Sequence, residues 1–239
     1  MASRMSLQNL PVEIFNHIIE SLVASVGIFK AVRLRSVNTR FNSAIWFAIC
    51  TRQVIDIKDP AIPGLYLYMP TSLKGRILLS KSYSQEAIKE DKALFVIAST
   101  NQALDSLTQP NEQRRFEQHR MISEAVAAIG SYEISWLDRN GQEVSTEEVQ
   151  THNLISGAIV IGNLPLVQSL MGKISVNANV NRENPYFGRP LHTAAAWGRI
   201  EIVQYLLDHG ADLNRFTGAQ GEDNDDDWEH ARLHSRHEY

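Results

Sequence analysis

The stretch from Arg189 to Asn214 reads RPLHTAAAWGRIEIVQYLLDHGADLN, and it decides the fold of the C-terminal half of this chain. A Pro-Leu-His turn enters a first helix, and the small alanines after it let two helices pack closely. Gly198 permits the turn between the helices, and Gly210 ends the second one in a left-handed conformation. The residues that face the core are Val203, Leu206 and Leu207. The stretch therefore predicts a helix–turn–helix unit.

A degenerate copy of this unit lies 36 residues closer to the N-terminus. In that shift Ala158, Gly162, Val167, Leu170 and Met171 fall under Ala194, Gly198, Val203, Leu206 and Leu207, respectively. The two copies resemble the ankyrin repeat, in which each unit buries its apolar face against its neighbours. About three units are normally needed for stability, and the spacing reveals two, over residues 151–214.

The ankyrin resemblance implies a surface for a substrate protein, formed by the turn tips and the first helix of each pair. The residues expected on this surface are Tyr186, Phe187, Arg189, Trp197 and Arg199. His192 invites an interpretation as a catalytic base. Its place inside the Pro-Leu-His turn predicts instead that it hydrogen-bonds the turn backbone.

The first 50 residues predict three short helices. Pro11 suits the first turn of a helix, and Glu13 favours the positive end of the helix dipole. Apolar residues then form two adjacent stripes at helical spacing, Ile14, Ile18 and Leu22 in one and Phe15 and Ile19 in the other. A shorter helical piece follows over 29–34, and a later helix carries Val37, Phe41, Ile45 and Ala48. A unit this small with apolar residues on more than one face leaves apolar surface for a partner.

These N-terminal residues resemble an F-box over about 7–48. The resemblance lies in Leu10-Pro11-Val12-Glu13-Ile14, then Ile18 and Leu22, then Leu34, Val37, Arg40 and Phe41, where the family usually has Trp at the last position. It implies a three-helix segment that binds a Skp-family linker protein and, through the linker, a cullin-based ubiquitin ligase. The residues implied to bind the linker are Leu10, Pro11, Ile14, Ile18, Leu34, Val37 and Phe41.

The middle of the chain predicts a helical spacer and cap over 51–150. Patterns typical of helices run over 85–107 and 111–129, the second with a loose stripe that includes Phe116. Residues 132–144 suggest a small hairpin turning at Asn140-Gly141, and Ser145 with Glu148 forms a capping box for the next helix. The expected architecture is mostly α: an F-box unit over 7–50, the spacer, ankyrin repeats over 151–214 and a disordered acidic tail over 215–239.

Charge and cysteine usage narrow the function classes. The net charge is −4, and residues 216–239 alone carry −5, so the folded body lacks the basic field that nucleic-acid binding needs. The single Cys50 lies in an apolar run and is expected to be a buried small hydrophobe. The uncharged run over 152–172 approaches a membrane thickness, but its polar residues and its repeat spacing favour an ankyrin copy. We expect a cytoplasmic or nuclear protein with no membrane partner.

Motifs for catalysis or metal binding are weak. The alternating Asp223, Asp225 and Asp227 lack the Gly and Glu of an EF-hand loop, which favours a solvated tail. His230 and His234 share one helix face but lack a third ligand, so no metal or cofactor is expected. Neither a phosphate-binding glycine loop nor a nucleophile elbow occurs, and we expect no catalytic residue.

Two function classes remain. The first is a substrate-recognition adaptor, monomeric outside its complex, that links a protein substrate to the ubiquitin ligase. The alternative is an ankyrin-type interaction scaffold with no ubiquitin role, in which the N-terminal helices are a cap. Exposure discriminates them: an adaptor leaves Pro11 and part of the Ile14 stripe open, whereas a cap buries them against residues 51–110.

Overall fold

The computed structural model describes residues 7–55, 69–129, 146–172 and 180–213, and its regular structure is helical. The α-helices are α1 (Val12–Val26), α2 (Ile28–Arg33), α3 (Thr39–Trp46), α4 (Thr71–Lys81), α5 (Gln85–Glu90), α6 (Lys92–Thr108), α7 (Glu112–Ala128), α8 (Thr146–Ile161), α9 (Leu164–Met171), α10 (Pro190–Ala196) and α11 (Ile200–Asp208). Short 3-10 turns span Leu7–Asn9 and Leu34–Val37, and a π-helical turn spans Phe47–Thr51. Within these ranges, extended backbone pairs in one antiparallel bridge, between Asn184 and Gly188. The expectation of a mostly α fold is confirmed.

The N-terminal unit consists of α1, α2 and α3 around a small core of its own. α1 begins directly after Pro11, and Gly27, with φ of 80°, breaks the chain between α1 and α2. Asn38 caps α3 by accepting a hydrogen bond from the Phe41 amide. One face of α1 enters the core through Phe15, Ile19 and Val23. Cys50 is buried in the π-helical turn that follows α3, as expected.

Helix α4 connects this unit to the rest of the chain. Its Leu73 and Ile77 belong to the N-terminal core, whereas Leu78 belongs to the larger core formed by the later helices. α4 packs so closely on α7 that a Cβ atom at Gly75 would lie 2.5 Å from the Cγ atom of Glu124. The N-terminal unit is therefore joined to the other helices by packing as well as by the chain.

The single helix expected over 85–107 is wrong, because the chain forms α5 and α6 there. Asp91 stands between them in extended conformation, and its carboxylate accepts hydrogen bonds from the amides of Ala93 and Leu94, which starts a new helix. Phe116 leaves the expected stripe of α7 and is exposed. The expected hairpin, capping box and acidic tail lie outside the described residues or side chains.

The two repeat copies form matching helix pairs. Gly162 and Gly198 both have positive φ, 80° and 63°, and each separates the helices of its pair. The equivalent residues Ala158 and Ala194 are completely buried, and Leu170 and its counterpart Leu206 are buried as well. Val167 is buried, whereas its counterpart Val203 is half-buried, as is Leu207. The uncharged run over 152–172 is divided between α8 and α9. None of the helices in the described ranges combines the length and apolar character that a membrane crossing requires.

Candidate protein-docking surfaces

The seven residues implied to bind a linker belong to the N-terminal unit, and we call them together the N-terminal docking surface. The Arg40 guanidinium donates to the Leu10 carbonyl oxygen at 2.6 Å. The rings of Phe15 and Phe41 meet edge to face with centroids 5.3 Å apart. These contacts bring the start of α3, and with it Val37 in the preceding turn, against the start of α1.

This surface is apolar and open. Ile14, Ile18 and Val37 are 52%, 41% and 58% exposed, and Pro11 is exposed as well. The other three members are half-buried, so only part of each side chain is exposed at this surface: Leu10, Leu34 and Phe41. Because about half of each exposed side chain is already covered, a partner that buries the rest gains roughly 1 kcal/mol per side chain. The exposed side chains of Pro11, Ile14 and Ile18 follow one another at helical spacing, which makes this stripe a candidate docking surface.

Basic side chains outnumber acidic ones in the N-terminal unit, and we call the exposed ones its basic rim. Residues 7–55 carry five basic and two acidic side chains, a net charge of +3. Arg52 pairs with Glu20 at 3.3 Å, which leaves Lys30 and Arg33 among the exposed cations near α2. Arg35 lies over the ring of Trp46 at 4.6 Å. The rim therefore favours a partner whose own surface is acidic.

The expectation that Tyr186 and Phe187 lie at the surface is wrong. Both rings are buried in the larger core, with Phe187 3% exposed. Asn184 turns the chain inward, because its Oδ1 accepts from the amides of Tyr186 and Phe187. Its Nδ2 also donates to Oδ1 of Asn153 in α8, which fastens the turn to the preceding helix. An aromatic pair next to a proline resembles an exposed turn tip in sequence, and only the packing shows otherwise.

The other three expected substrate-binding residues are half-buried. Arg199 donates through Nε and Nη2 to the carbonyl oxygen of Val160, at 3.0 and 2.6 Å, and so ties the two repeats together. Arg189 lies 3.8 Å from Glu183, and Trp197 packs against the larger core. Substrate binding by these three residues stays a prediction, and part of each side chain is accessible at the surface.

The expectation that His192 bonds the turn backbone is wrong. The Thr193 hydroxyl makes those bonds, donating at 2.6 Å to the Phe187 carbonyl oxygen and lying 2.9 Å from that of Arg189. His192 is exposed on α10 beside Ala195. Thr193 is buried and its hydroxyl points back to the turn. The side chain of His192, one residue earlier, is at the surface and does not contact the turn.

A cluster that the sequence did not predict joins α6, α7 and the turn before α5. His119 Nδ1 lies 3.1 Å from the Tyr83 hydroxyl, and its Nε2 lies 3.2 Å from Oδ2 of Asp105. Arg115 also contacts that carboxylate oxygen at 3.2 Å. Partial burial, then the nearby Asp105, raise the pKa of Tyr83, while Arg115 opposes them. The raised pKa disfavours ionisation of the phenol, which suits a hydrogen bond between helices better than an activated nucleophile.

Cys50 and the candidate metal-binding residues are the other titratable groups that the sequence analysis singled out. Burial raises the pKa of the Cys50 thiol to about 11, against the charge of Arg76, so the thiol is unionised at pH 7. Across the described ranges, no three His, Cys, Asp or Glu side chains are grouped to hold a metal ion. The acidic alternation at 223–227 and the pair His230 and His234 lie outside those ranges.

Comparison with known proteins identifies one part of the chain. Residues 122–217 match the family model of ankyrin repeats in three copies, one more than the spacing reveals, and the match begins within α7. The chain is 28% identical over 121 residues to alpha-latrocrustotoxin-Lt1a of Latrodectus tredecimguttatus, covering 51% of this chain and 8% of that protein. No solved structure matches the chain. Ankyrin repeats, a protein-interaction module, are therefore present. None of the three comparisons supports the F-box resemblance, which stays a prediction.

Proposed function

We propose that this protein is a substrate-recognition adaptor that links a bound protein to a cullin-based ubiquitin ligase through a Skp-family linker. The N-terminal docking surface would bind the linker, and the ankyrin repeats would hold the substrate. The chain would carry no catalytic residue and no cofactor. It would act in the cytoplasm or the nucleus as a monomer outside the complex.

The observation that carries the proposal is the open apolar stripe of α1. Pro11, Ile14 and Ile18 remain exposed although α4 and the later helices lie within the same chain. A cap would have buried this stripe against residues 51–110. Instead the adjacent stripe of α1, with Phe15, Ile19 and Val23, supplies the core, and Ile14 and Ile18 keep exposed surface that another protein could contact.

The mechanism is proximity. α4 packs on the N-terminal unit and on α7, so a substrate held by the repeats stays at a restricted distance from the linker. Holding a substrate lysine beside a ubiquitin-loaded enzyme makes an intermolecular transfer effectively intramolecular. The adaptor supplies this effective concentration and leaves the chemistry to its partners.

Binding to a purified Skp-family linker tests the proposal. We expect the wild-type chain to bind and the double variant Pro11→Ala, Ile14→Asp to lose at least tenfold in affinity, because a carboxylate would be buried in an apolar contact. Phe116→Asp is the matched control, since Phe116 is equally exposed but lies on α7. Circular dichroism checks that each variant is folded.

The alternative scaffold function gives the opposite result. A well-folded wild-type chain that does not bind the linker would leave the exposed stripe for a partner unrelated to ubiquitin ligases. The basic rim gives a second readout, because binding to an acidic partner surface weakens as salt rises. Affinity unchanged between about 50 and 300 mM salt would contradict an acidic partner.

A further inference from the structure

Ser36 is an exposed hydroxyl within the N-terminal docking surface. It lies in the turn Leu34–Val37, between two of the seven docking residues, and none of the turn's residues is buried. Its Oγ donates to the carbonyl oxygen of Arg33, the last residue of α2, at 3.1 Å. Because the Ser36 side chain is exposed and is held by this one hydrogen bond, its hydroxyl is accessible to an enzyme.

The residues before Ser36 are basic. The sequence Arg33-Leu34-Arg35-Ser36 places guanidinium groups three residues and one residue before the hydroxyl. Arg33 is exposed, so its guanidinium is available to acidic side chains in the groove of an enzyme that selects basic peptides. The pattern is typical of substrates of basic-directed serine/threonine kinases.

We propose that Ser36 is a phosphorylation site for such a kinase, and that phosphate at this position closes the N-terminal docking surface. The kinase transfers the γ-phosphoryl group of ATP to Oγ of Ser36. A new P–O bond forms, the bond to the β-phosphate breaks, ADP leaves and the hydroxyl proton goes to a base of the kinase. The second half of this inference rests on the proposed function.

Closure follows from the charge and position of the phosphate. A phosphoserine carries about −1.5 to −2 charges at pH 7. It would stand between the apolar Leu34 and Val37, where a bound partner would have to desolvate it. It would also cancel much of the +3 charge of residues 7–55 and attract the flanking arginines, which removes the basic rim from the partner.

The modification is tested on the full chain without any partner. Incubation with a purified basic-directed kinase and Mg-ATP should add phosphate at Ser36, located by mass spectrometry of the peptide. Arg33→Ala should reduce incorporation at least tenfold, and Ser36→Ala should abolish it at this site. Incorporation that spares Ser36, or that is indifferent to Arg33, would overturn the assignment.

The closure is tested with the linker. Phosphorylated protein should bind at least tenfold more weakly than unmodified protein, and Ser36→Glu should weaken binding in the same direction. Ser106→Glu is the control, because Ser106 is also exposed and bonded to a backbone carbonyl of its own helix, but lies on α6. Equal binding by phosphorylated and unmodified protein overturns the closure. If unmodified protein fails to bind, the proposed function falls and the closure with it, while the kinase result still decides the modification.

Discussion

Arg199 has two candidate roles, joining the two repeats and binding a substrate protein. The two roles predict different effects of its replacement on thermal stability. In the structure its guanidinium donates twice to the Val160 carbonyl oxygen, one residue before the end of α8. The last carbonyls of a helix have no partner within the helix, so Arg199 satisfies one of them from the next repeat. Replacing it with alanine removes this tie between the two repeats.

The size of the effect follows from the geometry. Hydrogen bonds from a charged donor contribute about 1.5–3 kcal/mol. The two bonds share one acceptor, so we take that range once, and a cation at a helix C-terminus adds about 0.3–1 kcal/mol. We therefore expect Arg199→Ala to lower the free energy of unfolding by about 2–4 kcal/mol. For a chain of this size that corresponds to a fall in Tm of roughly 4–16 °C.

Thermal unfolding followed by circular dichroism measures this fall. Arg114→Ala is a suitable control, because Arg114 is exposed on α7 and its removal should change Tm by less than about 1 °C. Arg199→Lys should retain part of the stability, since an ammonium can donate to the same carbonyl but not through two nitrogens. An unchanged Tm for Arg199→Ala would refute the tie and leave substrate binding as the role of this residue.

A double-mutant cycle tests the same contact from the other side. A Cβ atom at Gly162 would lie 3.0 Å from Nε of Arg199, and Gly162 has φ of 80°. Gly162→Ala should therefore cost both backbone strain and part of the Arg199 contact. In the Arg199→Ala background it should cost the strain alone. Equal costs in both backgrounds would show that the two residues do not interact.

Three further outcomes can be measured. Leu206→Asp should abolish cooperative unfolding of the C-terminal region, because Leu206 is completely buried and a carboxylate there would be unpaired; retained helicity with an unchanged Tm would contradict the repeat packing. Asn101→Leu should raise stability by about 1–3 kcal/mol in denaturant titration, because the buried Asn101 amide finds no partner among the described residues; a loss of stability would show that the amide is bonded in solution. Cys50 should react with iodoacetamide at pH 7 at least tenfold more slowly in native than in denatured protein, since burial raises its pKa to about 11 and also covers the sulfur atom; equal rates in native and denatured protein would contradict its burial.

Sequence patterns predicted a helix and its ends well where the residues that set them are neighbours in the chain. Pro11 before α1, Asn111 before α7 and the glycines between paired helices each act on neighbouring residues, so their effect is visible in the sequence. The break at Asp91 was missed because an aspartate within an apolar helical pattern is equally compatible with an exposed helix position. Its capping bonds depend on the local backbone angles, which the pattern does not contain.

The sequence by itself determined the helical class, the repeat spacing and the apolar stripes of α1. Only the tertiary structure decided which stripe is buried: Phe15 and Ile19 enter the core, while Ile14 and Ile18 stay exposed. It also decided that Phe187 is buried and that Arg199 reaches Val160 across 39 positions of the chain. The physical reason is that helical spacing says which residues share a face, whereas burial depends on what that face meets. That neighbour is set by long-range packing, which no local pattern encodes.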